Sequence, residues 1–222
     1  MKKLRIAAGA LCALSLAAAL AAALFLPDEI PAHYGLGGEV DRYGSKYELL
    51  IFPAFMLLSR LLMAGLTRLA VTAEKDDATE PVMRFVTVLM LLFFLVLQLY
   101  FTYAAAAAVR DLDELPLGVW QLCMGAMGAL FIPLGLAMPR LGRNSAAGFR
   151  CKWTLLSDEV WTLSQRFAGR MLAASGALTI VCAALLPGAW SAAAAAVIFT
   201  VMFIVDNAYA RRTYFRLRGF ED

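Results

Sequence analysis

The sequence predicts an all-α integral membrane protein with about six transmembrane helices and both termini in the cytoplasm. Of the 222 residues, 62% are hydrophobic and only 17% are charged, whereas about a quarter of the residues in a soluble domain are charged. Several apolar stretches are long enough to cross a bilayer, and the basic residues concentrate at the ends of these stretches. A formal net charge of +3 is too small to indicate nucleic-acid binding.

Five apolar stretches define the spans, because a helix needs about 20 residues to cross a hydrocarbon core of about 30 Å. The last of them has 35 residues, which as one helix would measure about 52 Å. Since Pro187-Gly188 interrupts it, we expect a tight hairpin of two spans there. The five stretches are Ile6–Leu26, Leu49–Leu69, Phe85–Val109, Leu117–Pro139 and Met171–Val205.

A cleaved signal peptide is the competing interpretation of the first stretch, because basic residues precede an apolar, alanine-rich run. The run is longer than the apolar core of most signal peptides. It also ends in Leu26-Pro27-Asp28-Glu29 instead of a small-x-small cleavage site. We therefore favour a first span that is retained.

The distribution of Lys and Arg sets the orientation, because short cytoplasmic segments hold most of these residues. With both termini inside, only Arg42, Lys46 and Arg110 of the 20 basic residues lie outside. Acidic residues, to which the rule does not apply, divide almost evenly into 8 outside and 9 inside. This count predicts a multi-pass protein of the cytoplasmic membrane.

The loops divide the chain into three parts. Residues 1–70 hold the first two spans with a structured outer loop at 27–48, and residues 71–116 hold the third span with its linkers. Residues 117–222 hold the remaining spans, a basic inner loop at 140–170 and a basic tail.

The outer loop is the candidate ligand-binding segment. Its prolines and glycines permit tight turns, so the loop can be compact, and structured loops often carry binding residues. We expect a polar or peptide ligand to contact Pro31, His33, Tyr34, Gly38, Asp41 and Lys46.

His33 is the only histidine of the chain, and three roles are open for it. It forms hydrogen bonds within the loop, it binds a metal with acidic residues such as Asp28, Glu29 or Asp41, or it acts with Asp41 as the acid–base pair of a membrane enzyme. No second His or Cys accompanies it in the outer segments. We therefore expect no metal, no cofactor and no catalytic residue.

Three intramembrane polar residues are of particular interest: Arg60 and Gln98 lie within apolar stretches, and Asp206 lies near the inner end of the sixth span. Because an unpaired charge in the bilayer is costly, we expect Arg60 either to extend toward the inner interface or to pair with Asp206. Gln98 is expected to form a hydrogen bond across helices, and the alanine runs at 104–108 and 192–196 indicate close helix packing. Alternatively, the three polar residues line the path of a small transporter.

The inner loop combines basic residues with Trp153 and Trp161, a composition that suits the headgroup boundary and anionic lipid. Ser157, followed by Asp158 and Glu159, predicts the start of a helix. A hydroxyl cap and acidic residues in the first turn interact favourably with the free N–H groups there.

Two segments resemble a known family. The outer segment from Pro27 to Lys46, with the core Ile30-Pro31-x-His33, resembles the N-terminal domain of unknown function that accompanies SdpI-type proteins. In the inner segment, Cys151-Lys152 stand where the family tends to have Thr-Pro. The residues that resemble the SdpI signature itself are Asn144, Gly148, Arg150, Thr154, Trp161 and Arg166.

The resemblance implies an immunity or signalling protein of the bacterial cytoplasmic (inner) membrane. The family is named for an immunity protein that protects its producer against a secreted membrane-active peptide toxin. That member is also described as a receptor that holds a transcriptional repressor at the membrane when toxin is bound. The expected partners are therefore membrane lipid, a peptide toxin outside and a cytoplasmic regulator that contacts the inner signature residues. A small transporter or lipid-handling protein is the alternative, and an enzyme is the third hypothesis.

Overall fold

Six long helices form the body of the protein in a computed structural model, which describes residues 2–74, 79–143 and 148–219. All six are long and apolar enough to cross a membrane, which confirms the predicted fold class. The helices are α1 (Lys2–Phe25), α2 (Ile51–Glu74), α3 (Thr79–Ala106), α4 (Val119–Ala137), α5 (Asp158–Leu185) and α6 (Ala189–Leu217). A two-stranded antiparallel sheet, made of β1 (Glu29–Tyr34) and β2 (Val40–Ser45), lies between α1 and α2 in the chain.

Several helices extend beyond the apolar stretches from which the spans were predicted, although α4 is slightly shorter than its stretch. α3 begins at Thr79 instead of Phe85, and α6 ends at Leu217 instead of Val205. Charged residues in these extensions, such as Glu80, do not end a helix, because their side chains reach the headgroup region while the backbone keeps its hydrogen bonds.

The break between the last two helices lies where it was predicted. α5 ends at Leu185 and α6 begins at Ala189, so Pro187-Gly188 forms the turn of a helical hairpin. The predicted start at Ser157 is also confirmed, since this residue is the N-cap of α5, although its side chain makes no capping hydrogen bond.

Alternating helix directions place the loops at two ends of the molecule. The sheet, the α3–α4 turn and the α5–α6 turn lie at one end, whereas the α4–α5 loop and the start of α1 lie at the other. These ends are named outer and inner after the orientation that the Lys and Arg count predicts.

The helices pack as two groups of three. α1, α2 and α3 contact one another, as do α4, α5 and α6, and α3 joins the groups by packing on α4. Met56, Leu91 and Leu95 form a buried apolar cluster with Ala8 inside the first group.

Gln98 forms the predicted hydrogen bonds across helices. Its Oε1 accepts from the Ser15 hydroxyl at 2.5 Å, and its Nε2 donates to the Ser15 carbonyl at 2.8 Å. Both residues are completely buried, so α1 and α3 satisfy each other's polar groups where no water is present. Ala104 and Ala195, from the two alanine runs, are also buried, in agreement with close packing there.

α4 and α5 approach backbone to backbone at two glycine pairs, Gly128 with Gly176 and Gly135 with Gly169. A Cβ atom added to Gly128 would lie 2.5 Å from the Gly176 carbonyl oxygen, and one added to Gly176 would lie 2.6 Å from the Gly128 oxygen. An added Cβ would meet the partner's carbonyl at the second pair too. Because lipid provides no hydrophobic drive between helices, such close contacts supply the packing energy.

Alanine at Gly128 or Gly135 is expected to push α4 away from α5 and to lower the free energy of unfolding by about 1–3 kcal/mol, the usual cost of overpacking. Gly125→Ala is the matched control on the same helix, because an added Cβ there meets its nearest atom, the Ala183 Cβ, at 3.9 Å. Thermal unfolding of the purified protein in detergent measures the difference. Equal melting temperatures in all variants would contradict the close approach.

Candidate functional site

The outer loop folds as a β-hairpin, a structure that the sequence analysis did not predict. Ile30 pairs with Gly44 in the antiparallel register, which is irregular beyond Pro31. In the turn, Gly38 has a φ of +97°, a conformation that favours glycine, and its N–H donates to the Gly35 carbonyl at 3.0 Å. The run of glycines was the available signal for this turn.

Backbone hydrogen bonds attach the hairpin to the turn between α3 and α4. The Val40 N–H donates to the Arg110 carbonyl at 2.8 Å, and the Leu112 N–H donates to the Gly38 carbonyl at 2.9 Å. Leu112 itself is buried. The hairpin and the α3–α4 turn therefore form one structural unit at the outer end.

Two aromatic side chains extend this attachment. The Tyr34 hydroxyl donates to the Val109 carbonyl, which follows α3, and the Trp120 Nε1 of α4 donates to the Leu36 carbonyl, both at 3.1 Å. Burial raises the pKa of the Tyr34 phenol, so the phenol remains a neutral donor at physiological pH. The hairpin is thus bonded to both helix groups.

Lys46 fixes the base of the hairpin to the end of α1. Its Nζ lies 3.0 Å from the Asp28 Oδ1 and donates to the Leu26 carbonyl at 3.1 Å. The Lys46 side chain is only 13% exposed. Its charge therefore serves to position the loop.

A cavity of about 580 Å³ lies beneath the hairpin, between the strands, the starts of α2 and α4, and the end of α3. The Phe101 ring centroid lies 6.1 Å from those of Tyr34 and Phe52, so three aromatic rings form a continuous wall. Pockets of this size with mostly apolar walls are typical ligand sites.

Two polar side-chain pairs flank the cavity at the surface. The His33 Nδ1 lies 2.6 Å from the Asp41 Oδ1, with the two side chains 62% and 47% exposed. Arg42 donates to both carboxylate oxygens of Glu48, at 2.7 and 3.0 Å. Gly44 provides the space, because a Cβ there would meet both Arg42 and Glu48. Among the described residues, no three His, Cys, Asp or Glu side chains form a metal-binding group.

The structure separates the predicted ligand-binding residues by position. Pro31, His33 and Tyr34 line the cavity. Gly38 forms the hairpin turn, and Lys46 holds the base of the hairpin. Asp41 does not line the cavity, but it contacts His33, which does. Sequence reasoning missed several lining residues, since only the fold brings together the elements that carry them. These are Arg42, Glu48, Phe52, Phe101 and Val119.

The predicted ion pair between Arg60 and Asp206 is wrong. Asp206 lies on α6 and is 2% exposed, and its Oδ1 has no hydrogen-bond partner among the described residues. Arg60 lies on α2, where its guanidinium crosses Gly9 of α1. The prediction failed because sequence spacing does not show which helices are neighbours. Since Gln98 bonds to Ser15, the three polar residues line no common path, and the transporter alternative is not favoured.

The inner loop is built around Trp161. This side chain is 1% exposed, and its Nε1 donates to the Leu141 carbonyl at 2.8 Å. Gly148 lies against the ring, since an added Cβ would stand 2.7 Å from it. Val82 of α3 packs into the same apolar cluster, so the loop is joined to the first helix group.

Gln165 holds the loop backbone and was missed by the sequence analysis. Its Oε1 accepts from the Phe149 N–H at 2.9 Å, and its Nε2 donates to the Phe149 carbonyl at 2.8 Å. Thr154 accepts from the Cys151 N–H at 3.0 Å. Gln165 lies one helical turn after Trp161, and that spacing was the available signal.

The inner signature residues thus divide into buried and exposed groups. Gly148, Thr154 and Trp161 build the loop, whereas Arg150 and Arg166 are exposed. Trp153 packs 5.2 Å from the Tyr214 ring near the end of α6, which ties the loop to the last helix. Asn144 lies outside the described residues.

These features define a multi-pass cell-membrane protein with a structured outer hairpin and an ordered inner loop. Residues 140–205 match the SdpI/YfhL protein family, and residues 10–57 match the domain of unknown function DUF1648. The chain therefore carries an SdpI/YfhL region preceded by a DUF1648 region, and the resemblance found in the sequence is confirmed.

Two relatives are similar to this chain. The immunity protein SdpI of Bacillus subtilis (strain 168) is 25% identical over 157 residues, which cover 71% of this chain and 70% of that protein. An uncharacterized protein of Archaeoglobus fulgidus is 45% identical over 47 residues, which cover 21% of this chain and only 26% of that protein. No solved structure matches the chain.

Gln165→Leu is expected to release the Phe149 backbone and to expose the inner loop to trypsin, because a buried amide left without a partner costs about 1–3 kcal/mol. Thr162→Ala is the control on the same helix, since Thr162 is exposed and its hydroxyl bonds only within α5. Mass spectrometry of the detergent-solubilised protein measures cleavage after Arg150 and Lys152. Equal cleavage rates in both variants would contradict a holding role for Gln165.

Proposed function

We propose that this chain is a membrane immunity protein that protects its cell against a secreted membrane-active peptide by binding that peptide in the outer cavity. The observation that carries the proposal is the cavity of about 580 Å³ beneath the hairpin, with an aromatic wall and two polar side-chain pairs at its rim.

The chemistry of the cavity suits an amphipathic peptide. An apolar side chain of the peptide would fill the space beside Tyr34, Phe52 and Phe101, where burial of apolar surface supplies the affinity. The rim offers charges of both signs in the exposed Arg42–Glu48 pair, and the exposed His33–Asp41 pair adds further polar groups. A peptide that lies in the membrane interface would present this combination of groups.

The location of the cavity supports the same role. It opens where the hairpin meets the starts of α2 and α4, which is the outer end of the spans in the predicted orientation. A peptide that accumulates there before it inserts would be captured at this level. The relative from Bacillus subtilis is named an immunity protein, which agrees with the proposal.

We propose a binding role, and no catalytic one, for the His33–Asp41 pair. Both side chains are about half exposed to solvent, whereas acid–base catalysis is most effective in a site from which water is excluded. The pair also positions the cavity wall, because His33 belongs to β1 and Asp41 to β2.

Filling the cavity is expected to abolish protection. Val119→Phe puts a larger, aromatic side chain into the lining without a change in charge, and His33→Ala removes one rim pair. Sensitive cells that express each variant are exposed to purified amphipathic peptide toxins at concentrations that kill vector-only cells. Survival is expected to fall to the vector-only level for both variants, at unchanged membrane abundance.

The matched control for this experiment is Val197→Phe, the same substitution on a face of α6 that is 63% exposed to lipid. It is expected to keep full protection. Failure of the parent chain to protect against any peptide of the panel, or full protection by Val119→Phe, would refute the assignment of the cavity.

The inner loop is proposed as the surface that contacts a cytoplasmic regulator. Arg150 is exposed on a loop whose backbone is fixed by Gln165 and Trp161. A rigid loop that presents a charged side chain favours specific protein contact, because little conformational entropy is lost on binding.

Arg150→Gln is therefore expected to leave survival unchanged and to remove the transcriptional response to the toxin. Transcript levels in the native host, with and without toxin, measure that response. Arg212→Gln, which changes an exposed arginine on α6, is the control and is expected to respond like the parent. A normal response in Arg150→Gln would refute the regulator surface, and a loss of survival would show that the two roles are not separate.

A further inference from the structure

A second cavity of about 250 Å³ lies between α1, α2 and α3 toward their inner ends. Its volume is about eight times the ~30 Å³ that one molecule takes up in liquid water, enough for a phosphate group with bound water. Among the described residues that line it, all the charged ones are basic. They are Arg5, Arg60, Arg68 and Arg84.

Arg60 reaches this cavity from the middle of the membrane. It lies about 14 Å from the start of α2 at about 1.5 Å per residue. Its guanidinium passes Gly9 of α1, with the Nη2 atom 3.7 Å from where a Cβ would stand, and contacts Cys12. The side chain therefore extends toward the inner end. This is one of the two arrangements expected from the sequence, the other being a pair with Asp206.

The positive charge in the cavity is only partly compensated. Arg84 pairs with Glu80, the acidic residue one turn before it on α3, at 2.5 Å. Arg5, Arg60 and Arg68 have no acidic partner within 4.0 Å among the described residues.

The two threonines of the lining add no donor for a ligand. The Thr67 hydroxyl donates to the Met63 carbonyl at 2.6 Å, and the Thr87 hydroxyl donates to the Met83 carbonyl at 2.8 Å. The guanidinium groups are therefore the donors that face the cavity. Their planar, forked N–H groups match the oxygens of a phosphate.

We infer that this cavity is a binding site for the phosphate of an anionic phospholipid headgroup from the inner leaflet. An unpaired Arg60 at its depth is unfavourable without an anion, whereas Arg5 and Arg68 are exposed near the inner helix ends. The cytoplasmic leaflet there is rich in anionic lipid. The lipid tails would lie along the apolar faces of α1 and α2, where Leu61 borders the cavity. The inference concerns the inner end and is independent of the proposed outer function.

The full chain, purified in neutral detergent, tests the site. It is titrated separately with dioctanoyl phosphatidylglycerol, dioctanoyl phosphatidylcholine and inorganic phosphate, and its melting temperature is followed. Saturable stabilisation is expected with phosphatidylglycerol, with much less from the other two. Equal stabilisation by inorganic phosphate would assign the cavity to a free anion and overturn the lipid source.

Two variants separate binding from structure. Arg60→Gln and Arg68→Gln are each expected to weaken phosphatidylglycerol binding by about tenfold, the effect of one lost charge-assisted hydrogen bond. Arg212→Gln, an exposed arginine at the inner end of α6 that lies outside the cavity lining, is the control and is expected to bind like the parent.

The melting temperature without added lipid distinguishes an arginine that binds lipid from one that only stabilises the fold. Loss of Arg60 is expected to leave it unchanged or to raise it, because an unpaired charge is removed from an apolar setting. A lower lipid-free melting temperature with unchanged lipid affinity would overturn the inference. Equal affinity in all three variants would overturn it as well.

Discussion

The close approach of α4 and α5 at two glycine pairs is the constraint on which the second half of the molecule depends. Lipid is as apolar as the helix surfaces, so shape and backbone contact decide how helices associate. Gly128 meets Gly176 and Gly135 meets Gly169, which fixes both the spacing and the rotation of α5. The start of α5 then carries Trp161 and Gln165 into the inner loop. A packing feature inside the membrane thus determines the shape of a loop outside it.

The outer hairpin has the corresponding role at the other end. Irregular backbone is stable there because water and neighbouring loops satisfy its polar groups. Tyr34 is bonded to Val109, just after α3, and Leu36 is bonded to Trp120 of α4. The cavity beneath the hairpin is therefore bordered by both helix groups. A ligand inside the cavity would therefore contact both helix groups at once.

The sequence predicted features that depend on local composition and missed those that depend on helix neighbours. Spans and their turn at Pro187-Gly188 follow from apolar length and helix-breaking residues alone. Gln98 was correctly expected to bond across helices, because an amide in lipid needs a partner, but Ser15 as its partner required the structure. The predicted pairing of Arg60 with Asp206 was wrong, because the sequence does not show which helices are neighbours. The strands were missed since Pro31 and the glycines obscure alternation.

α3 connects the two ends of the molecule. Its Phe101 forms part of the outer cavity wall, and its Val82 packs into the cluster around Trp161 at the inner end. The two residues are about 28 Å apart along one continuous helix. A ligand that shifted or rotated the outer end of α3 would therefore change the packing of the inner loop directly. Coupling between the sites requires two arrangements of such an element, and α3 is the helix on which both sites would act.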